Sequence, residues 1–367
     1  HAAVIQIVST GEALMERRLA EIPTEEWSDV QVDITPREYV LDYLAHSFPV
    51  QLYEPFTDSE GNLSSRPVYR DGQPVESREA AKRRDRLIEK LASLPPVPGA
   101  LDQIVQRFGT DMVAEVTGRS RRVVRKRDRL IVENRAASAN LAETAAFMDD
   151  AKRILIFSDA GGTGRSYHAE LSARNRRLRV HYLLEPGWKA DAAIQGLGRT
   201  NRTNQAQPPL FRPIATDVKA EKRFLSTIAR RLDTLGAITR GQRQTGGQGL
   251  FRPEDNLESH YGRDALRQLY LLLVRGKVEG CSLQAFEDAT GLKLMDANGI
   301  KDELPPITTF LNRLLALTID LQNMLFAAFE QLLSARIEGA IASGTYDAGL
   351  ETLLAESFVV TDRRVIY

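Results

Sequence analysis

An α/β fold is what this sequence predicts: a lobe built on a parallel sheet, interrupted by an insertion and followed by a mostly α-helical C-terminal domain. Three observations predict it. Short apolar, β-branched runs at residues 4–8, 154–157, 179–184 and 211–215 alternate with helical patterns, as strands of a parallel sheet alternate with crossover helices. A polar, glycine- and glutamine-rich stretch at residues 241–253 reads as a linker. Beyond it, apolar residues recur at helical spacing through residues 262–274, 283–290, 306–336 and 350–355.

In chain order, the first strand leads through Ser9-Thr10-Gly11-Glu12, a helix-start signal, into a helix over residues 13–22 that stops before Pro23. Residues 24–118 lose periodicity, and Pro49, Pro55, Gly61, Pro67, Gly72 and Pro74 punctuate them. Only residues 77–94 and 100–108 read as helices there. Residues 122–124 and 130–132 predict two strands joined at a basic tip, Arg125 to Arg129. A helix follows over residues 140–149, another begins at Pro186-Gly187-Trp188, and a third runs from an Asp217 cap to Gly236. The expected division is a first β-α unit at 1–30, a loop-rich and helical insertion at 31–118, the rest of the lobe at 119–240, a linker at 241–254 and a helical domain at 255–367.

A chain of 367 residues has room for two or three domains. Its composition, 43% hydrophobic and 27% charged, is that of a soluble globular protein, and no apolar run approaches the roughly twenty residues that cross a membrane. One cysteine, Cys281, excludes an internal disulfide and fits a reducing, cytoplasmic compartment; it reads as a small buried hydrophobe. No His/Cys/Asp group has metal-ligand spacing, so no metal site is expected. His168 and His181 read as packing or surface residues, and Trp188 as a packing anchor. Both ends fall within strand-like residues, which suggests a piece of a longer polypeptide.

The net charge of zero conceals local asymmetry. Seven basic residues against one acid lie between Arg119 and Arg129, and five arginines against one acid between Arg165 and Arg179. Such stripes suit nucleic acid, and Arg121, Arg122, Arg125, Lys126 and Arg127 are the candidate contacts; a solvated turn is the alternative.

The chemistry concentrates in residues 154–205. The strand ending at Phe157 turns into Ser158-Asp159-Ala160-Gly161-Gly162-Thr163-Gly164-Arg165-Ser166. A P-loop would need glycine at Asp159 and lysine at Arg165, so the turn does not cradle a phosphate by itself. A dinucleotide fingerprint would need glycine at Tyr167. Further on, Gln195, Arg199 and Arg202 are spaced i, i+4, i+7, and on a helix they would share one face. Arginine presents a planar, permanently charged fork to phosphate oxygens.

At these residues the chain resembles superfamily-two helicases. Gln195-x-x-Gly198-Arg199-x-x-Arg202 is similar to their motif VI, and the glycine turn to motif V in its Swi/Snf-type form. The resemblance is closest to the strawberry notch family of helicase-like ATPases. It extends to residues 4–13, Glu115-Val116-Thr117-Gly118-Arg119, residues 176–181, Tyr261-Gly262-Arg263 and Phe310-Leu311-Asn312-Arg313.

The resemblance implies a RecA-like second motor lobe with the family's helical C-terminal domain. It implies ATP and Mg²⁺ held mainly by a first, N-terminal RecA-like lobe supplied in cis or in trans, none bound tightly by this chain alone, and a nucleic-acid partner, DNA expected. By carry-over, Arg202 is the arginine finger, Arg199 its phosphate-contacting or positioning partner, and Gln195 orients motif VI. Asp159, Gly161, Gly162 and Gly164 approach the nucleotide. Asn201 stands where the family usually has histidine, and Arg165 where isoleucine is usual; Arg165 is either a surface charge or a contact to nucleic-acid phosphate. Neither Gly-x-x-x-x-Gly-Lys-Ser/Thr nor an Asp-Glu pair closing an apolar strand occurs in the sequence, so the chain alone is expected to be inactive. The alternatives are a nonenzymatic nucleic-acid-binding or scaffolding module and a stand-alone α/β enzyme acting on a small phosphorylated substrate.

Overall fold

The computed structural model describes residues 1–20, 23–28, 35–59, 61, 63–127, 129–136, 138–162, 164–239, 250–346 and 359. The strands in chain order are β1 (Ala2–Ile7), β2 (Tyr53–Thr57), β3 (Leu63–Pro67), β4 (Tyr69–Arg70), β5 (Gln73–Pro74), β6 (Val113–Val116), β7 (Arg121–Lys126), β8 (Arg129–Asn134), β9 (Ile154–Ser158), β10 (Arg179–Leu183), β11 (Leu210–Pro213), β12 (Met295–Asp296) and β13 (Gly299–Ile300). The α-helices are α1 (Glu12–Ala20), α2 (Pro36–His46), α3 (Arg78–Ala92), α4 (Ala100–Phe108), α5 (Ala139–Met148), α6 (Asp159–Gly162), α7 (Ala190–Leu197), α8 (Lys222–Thr239), α9 (His260–Val274), α10 (Leu283–Thr290), α11 (Ile307–Leu314) and α12 (Ile319–Ala342). Parallel strands with helices between them bear out the α/β expectation.

By contacts the chain divides into two compact units, residues 9–161 and residues 1–8 with 162–367. In the second, β1 pairs in parallel with β10 (Val4 opposite His181), and β10 with β11 (Val180 opposite Leu210). Leu183, Ala193 and Ile228 form the core under α7 and α8. The helical part has a separate core of Leu266, Leu269, Tyr270, Phe286, Phe310, Phe326, Phe329 and Leu333. Its rings meet edge to face, Tyr270 with Phe310 at 6.1 Å and Phe310 with Phe329 at 5.8 Å. Polar pins tie α12 to the segment before α8: Asn323 Oδ1 accepts from the Lys219 N–H at 2.8 Å, and Asn323 Nδ2 donates to the Asp217 carbonyl at 2.9 Å.

Helix α9 starts on a Ser259 cap, whose hydroxyl accepts from the Gly262 N–H at 3.2 Å. Gly262 is required there by close approach: a Cβ would lie 1.9 Å from the Leu257 carbonyl oxygen. Gly262→Ala is therefore expected to destabilise the helical part by about 1–3 kcal/mol, seen as a lower denaturation midpoint; an unchanged midpoint would contradict the contact.

In the unit of residues 9–161, β6 and β9 pair in parallel, with Val113 opposite Ile154. The α5 and α4 helices cover β6, burying Phe147, Leu101 and Val105. This corrects the expectation that the insertion runs unbroken to residue 118, because β6 is a buried sheet strand. Its four residues include Glu115, which breaks the apolar run. The loop-rich stretch also holds the antiparallel pairs β2–β3 and β4–β5. Their side chains are almost all exposed, so no alternation of polar and apolar residues announces them.

Two further expectations are corrected. Helix α8 runs past Gly236 to Thr239, and Asp217 does not cap it; a 3₁₀ turn at Lys219–Glu221 intervenes. One glycine costs a helix only about 1 kcal/mol, which packing overrides. The single helix expected over 306–336 is two, with Thr318 extended at the start of α12. Residues 241–249 of the expected linker and the helical piece at 350–355 lie outside the described residues.

Candidate functional site

In the unit of residues 9–161, β9 delivers the chain to the single turn α6, which begins at Asp159. Gly118 lies beneath it: a Cβ there would come within 3.2 Å of the Ala160 Cβ, so glycine at 118 lets the turn sit close to β6. Asp159 is exposed. In the other unit, Gly164 has φ +75°, a left-handed backbone that favours glycine, and open space where its Cβ would be.

The expected shared helical face of Gln195, Arg199 and Arg202 does not exist. Helix α7 stops at Leu197 with Gly198 as its cap, so Arg199 lies in the following turn and Arg202 beyond it. Gln195 and Arg202 are exposed, whereas Arg199 is buried. Arg199 Nη1 donates to the Arg165 carbonyl at 2.9 Å, and the Arg199 carbonyl accepts from the Tyr167 N–H at 2.7 Å. Arg165 itself is half-buried, with Nε enclosed.

The loop carrying Arg202 is held from several sides. Gln205 Oε1 accepts from the Arg202 N–H at 3.2 Å, and Gln205 Nε2 donates to Asn201 Oδ1 at 2.9 Å. Asn201, in the place of the family's usual histidine, thus closes the loop on itself. Thr200 Oγ1 donates to the Leu197 carbonyl and lies 2.7 Å from His181 Nδ1. The Arg202 guanidinium makes no ion pair or hydrogen bond among the described residues. Burial lowers the pKa of His168 against the opposing charge of Glu170, and the charges of Arg179 and Arg202 add to the lowering.

Gln6, the penultimate residue of β1, donates Nε2 to the Ala193 carbonyl at 3.3 Å, and Gly196 accommodates it, since a Cβ would lie 2.1 Å from Gln6 Nε2. Gln6, His181 and Arg179 are supports that motif reasoning missed. The available signal was a polar residue inside an otherwise apolar strand. His181 is wholly buried, and burial lowers its pKa to about 3. In the unfolded chain it takes up a proton near its ordinary value of about 6.5. Stability is therefore full above that pH and should fall by up to about 1.4 kcal/mol per unit as pH drops from 6.5 toward 3. Denaturation of His181→Gln should lack this component; an identical pH slope in both proteins would refute it.

The basic hairpin β7–β8 exists as expected, with Arg127 at its tip (φ +47°). Not all its cations are available. Arg122 is a correction: it is mostly buried, donates Nε to Glu133 at 3.1 Å and lies 3.5 Å from Glu115. Lys126 pairs with Glu133 at 2.5 Å, and Arg121 lies over the Trp27 ring at 5.1 Å. Arg127 and Arg129 are exposed. The side-chain surroundings of Arg125 lie outside the described residues. Trp188 anchors less than expected: it packs edge-on against Phe224 at 4.7 Å but is 66% exposed. Cys281 is buried as expected. Among the described residues no group of His, Cys, Asp or Glu could hold a metal, and no helix is long and apolar enough to cross a membrane.

With this geometry in hand, comparison with known proteins is decisive for the family. The family model described as the C-terminal domain on Strawberry notch homologue, a helicase C-terminal domain, matches residues 99–352. This chain belongs to the strawberry notch family. It is 34% identical over 321 residues to Protein FORGETTER 1 of Arabidopsis thaliana, covering 76% of this chain and 24% of that protein. It is 36% identical over 306 residues to Protein strawberry notch of Drosophila melanogaster (77% and 18%) and 36% over 293 residues to human Protein strawberry notch homolog 1 (72% and 20%). The chain therefore spans about a quarter or less of the family members it matches. No solved structure matches it.

Proposed function

We propose that this chain is the second motor lobe of a nucleic-acid-dependent ATPase of helicase or translocase type, lending an arginine finger to ATP held on a first lobe. The observation that carries this reading is Arg202: an exposed guanidinium with no partner among the described residues, on a loop closed by Gln205 and backed by buried Arg199 and Thr200. A charged fork left unpaired on a braced loop is suited to charge that develops elsewhere, on a transferring phosphoryl group. ATP would supply that group. Gly164, with open space above its backbone, would let the turn approach it; the family resemblance assigns the same part to Gly161, Gly162 and Asp159. Mg²⁺ would be held with the nucleotide on the first lobe, as the family resemblance implies. Nucleic acid would meet the exposed Arg127 at the hairpin tip, with Arg125 close to it in sequence; Arg165, half-buried in the other unit, is a separate candidate.

The purified chain is expected to hydrolyse essentially no ATP. Turnover should appear when the family's nucleotide-binding lobe and DNA are added, and DNA binding should weaken with salt and respond to ATP. Appreciable turnover by the chain alone would refute this reading. Salt-dependent DNA binding with no turnover in the two-lobed assembly would favour a nonenzymatic module.

A further inference from the structure

Residues 165–171 run as a strap beside the arginine loop, residues 199–206. The Tyr167 N–H donates to the Arg199 carbonyl (2.7 Å), the Leu171 N–H to the Asn204 carbonyl (3.1 Å) and the Ala206 N–H to the Ala169 carbonyl (2.7 Å). Glu170 and Gln205 face each other as an antiparallel bridge. The strap thus joins the exit of the glycine turn to the loop that presents Arg202.

One buried side chain gathers this strap. Arg179, the first residue of β10, donates Nε to the Tyr167 carbonyl at 2.7 Å and Nη2 to the carbonyls of His168 (3.2 Å) and Asn175 (2.7 Å). Its Nη1 donates to Asn175 Oδ1 and to the Arg177 carbonyl, both at 2.8 Å. Asn175 is itself fully buried. Burying a cation among carbonyls is an expensive way to gain stability, since desolvation offsets much of what the bonds return. What a planar guanidinium adds is geometry: its donors fix several backbone carbonyls in one plane, which a lysine ammonium cannot do.

We propose that Arg179 is a positioning residue for Arg202: it holds the strap, the strap holds the arginine loop, and the orientation of the exposed Arg202 guanidinium is set through them. This rests on the function proposed above.

The test uses the two-lobed assembly. Arg179→Lys is expected to lower the DNA-stimulated kcat by about tenfold while KM for ATP stays within about twofold. Adding Arg202→Ala to Arg179→Lys should then cost at least about tenfold less than Arg202→Ala costs in the unaltered protein, because a misdirected finger has less to lose. In the chain itself, amides of Tyr167, Leu171 and Ala206 should exchange at least about tenfold faster in Arg179→Lys while those of β1 are unchanged. An unchanged kcat, or losses that multiply in full, overturns the proposal. Should Arg179→Lys not fold, Asn175→Ala, which removes one acceptor, is read in the same way. Should Arg202→Ala be silent in the unaltered assembly, the proposed function fails; amide exchange then judges the clamp, and unchanged protection of the strap overturns it.

Discussion

Replacing Arg202 by alanine is expected to lower the DNA-stimulated kcat of the two-lobed assembly by about 10³- to 10⁵-fold, the range known for arginine fingers in GTPases. The loss should appear in kcat rather than in KM, because the finger acts on charge that develops only in the transition state. Thermal stability should not change, since the guanidinium is exposed and makes no bond among the described residues. Arg202→Lys should recover little of the rate, because an ammonium cannot present the planar fork. A kcat within about threefold of the unaltered protein would end the finger assignment.

Glu115→Gln is expected to destabilise the unit of residues 9–161 by about 3–5 kcal/mol. The side chains of Glu115 and Arg119 are both fully buried, and Arg119 grips both carboxylate oxygens, at 2.6 and 3.1 Å. Arg119 also reaches Asp102 at 2.7 Å, and Arg135 donates to the Glu115 carbonyl. Burial pushes the Glu115 carboxyl up, but the Arg119 bonds and charge, the Arg135 charge and the Thr117 hydroxyl outweigh it and hold the pKa at about 2. Neutralising Glu115 leaves the Arg119 cation buried with much of its partner removed. The pKa is depressed on folding, so this stabilisation is complete above the ordinary carboxyl value of about 4.5 and is lost as pH falls toward 2. Chemical denaturation at neutral pH measures the first effect, and acid titration of the variant the second. A loss below about 1 kcal/mol would mean that water reaches the pair.

This cluster also explains why the basic stripe misleads. Arg119 and Arg122 count as positive charges in the sequence, yet both face carboxylates in the fold. Arg179 likewise belongs to a basic run and serves backbone carbonyls. Charge density along a chain says nothing about which cations have acids waiting across a sheet. Among the described residues of the stripe, Lys126, Arg127 and Arg129 around the hairpin tip stay exposed.

Local chemistry carried much of the rest. The apolar runs of β1, β9 and β10 are read directly, because a short β-branched run between turn signals marks a buried strand from neighbours in sequence alone. The exposed strands β2 and β3 left no such pattern.

The glycine turn and the Gly198-Arg199-x-x-Arg202 frame identify the family from residue order alone, since both depend on which side chains are absent or charged at fixed spacing. Spacing could not say which of the two arginines is buried. That follows from α7 ending at Leu197, which turns Arg199 inward to the Arg165 carbonyl and leaves Arg202 outside. A helix end is set by what packs around it, here Gln6 against Gly196 and His181 against Thr200, the first from β1 far away in the chain and the second from β10, the strand before the helix.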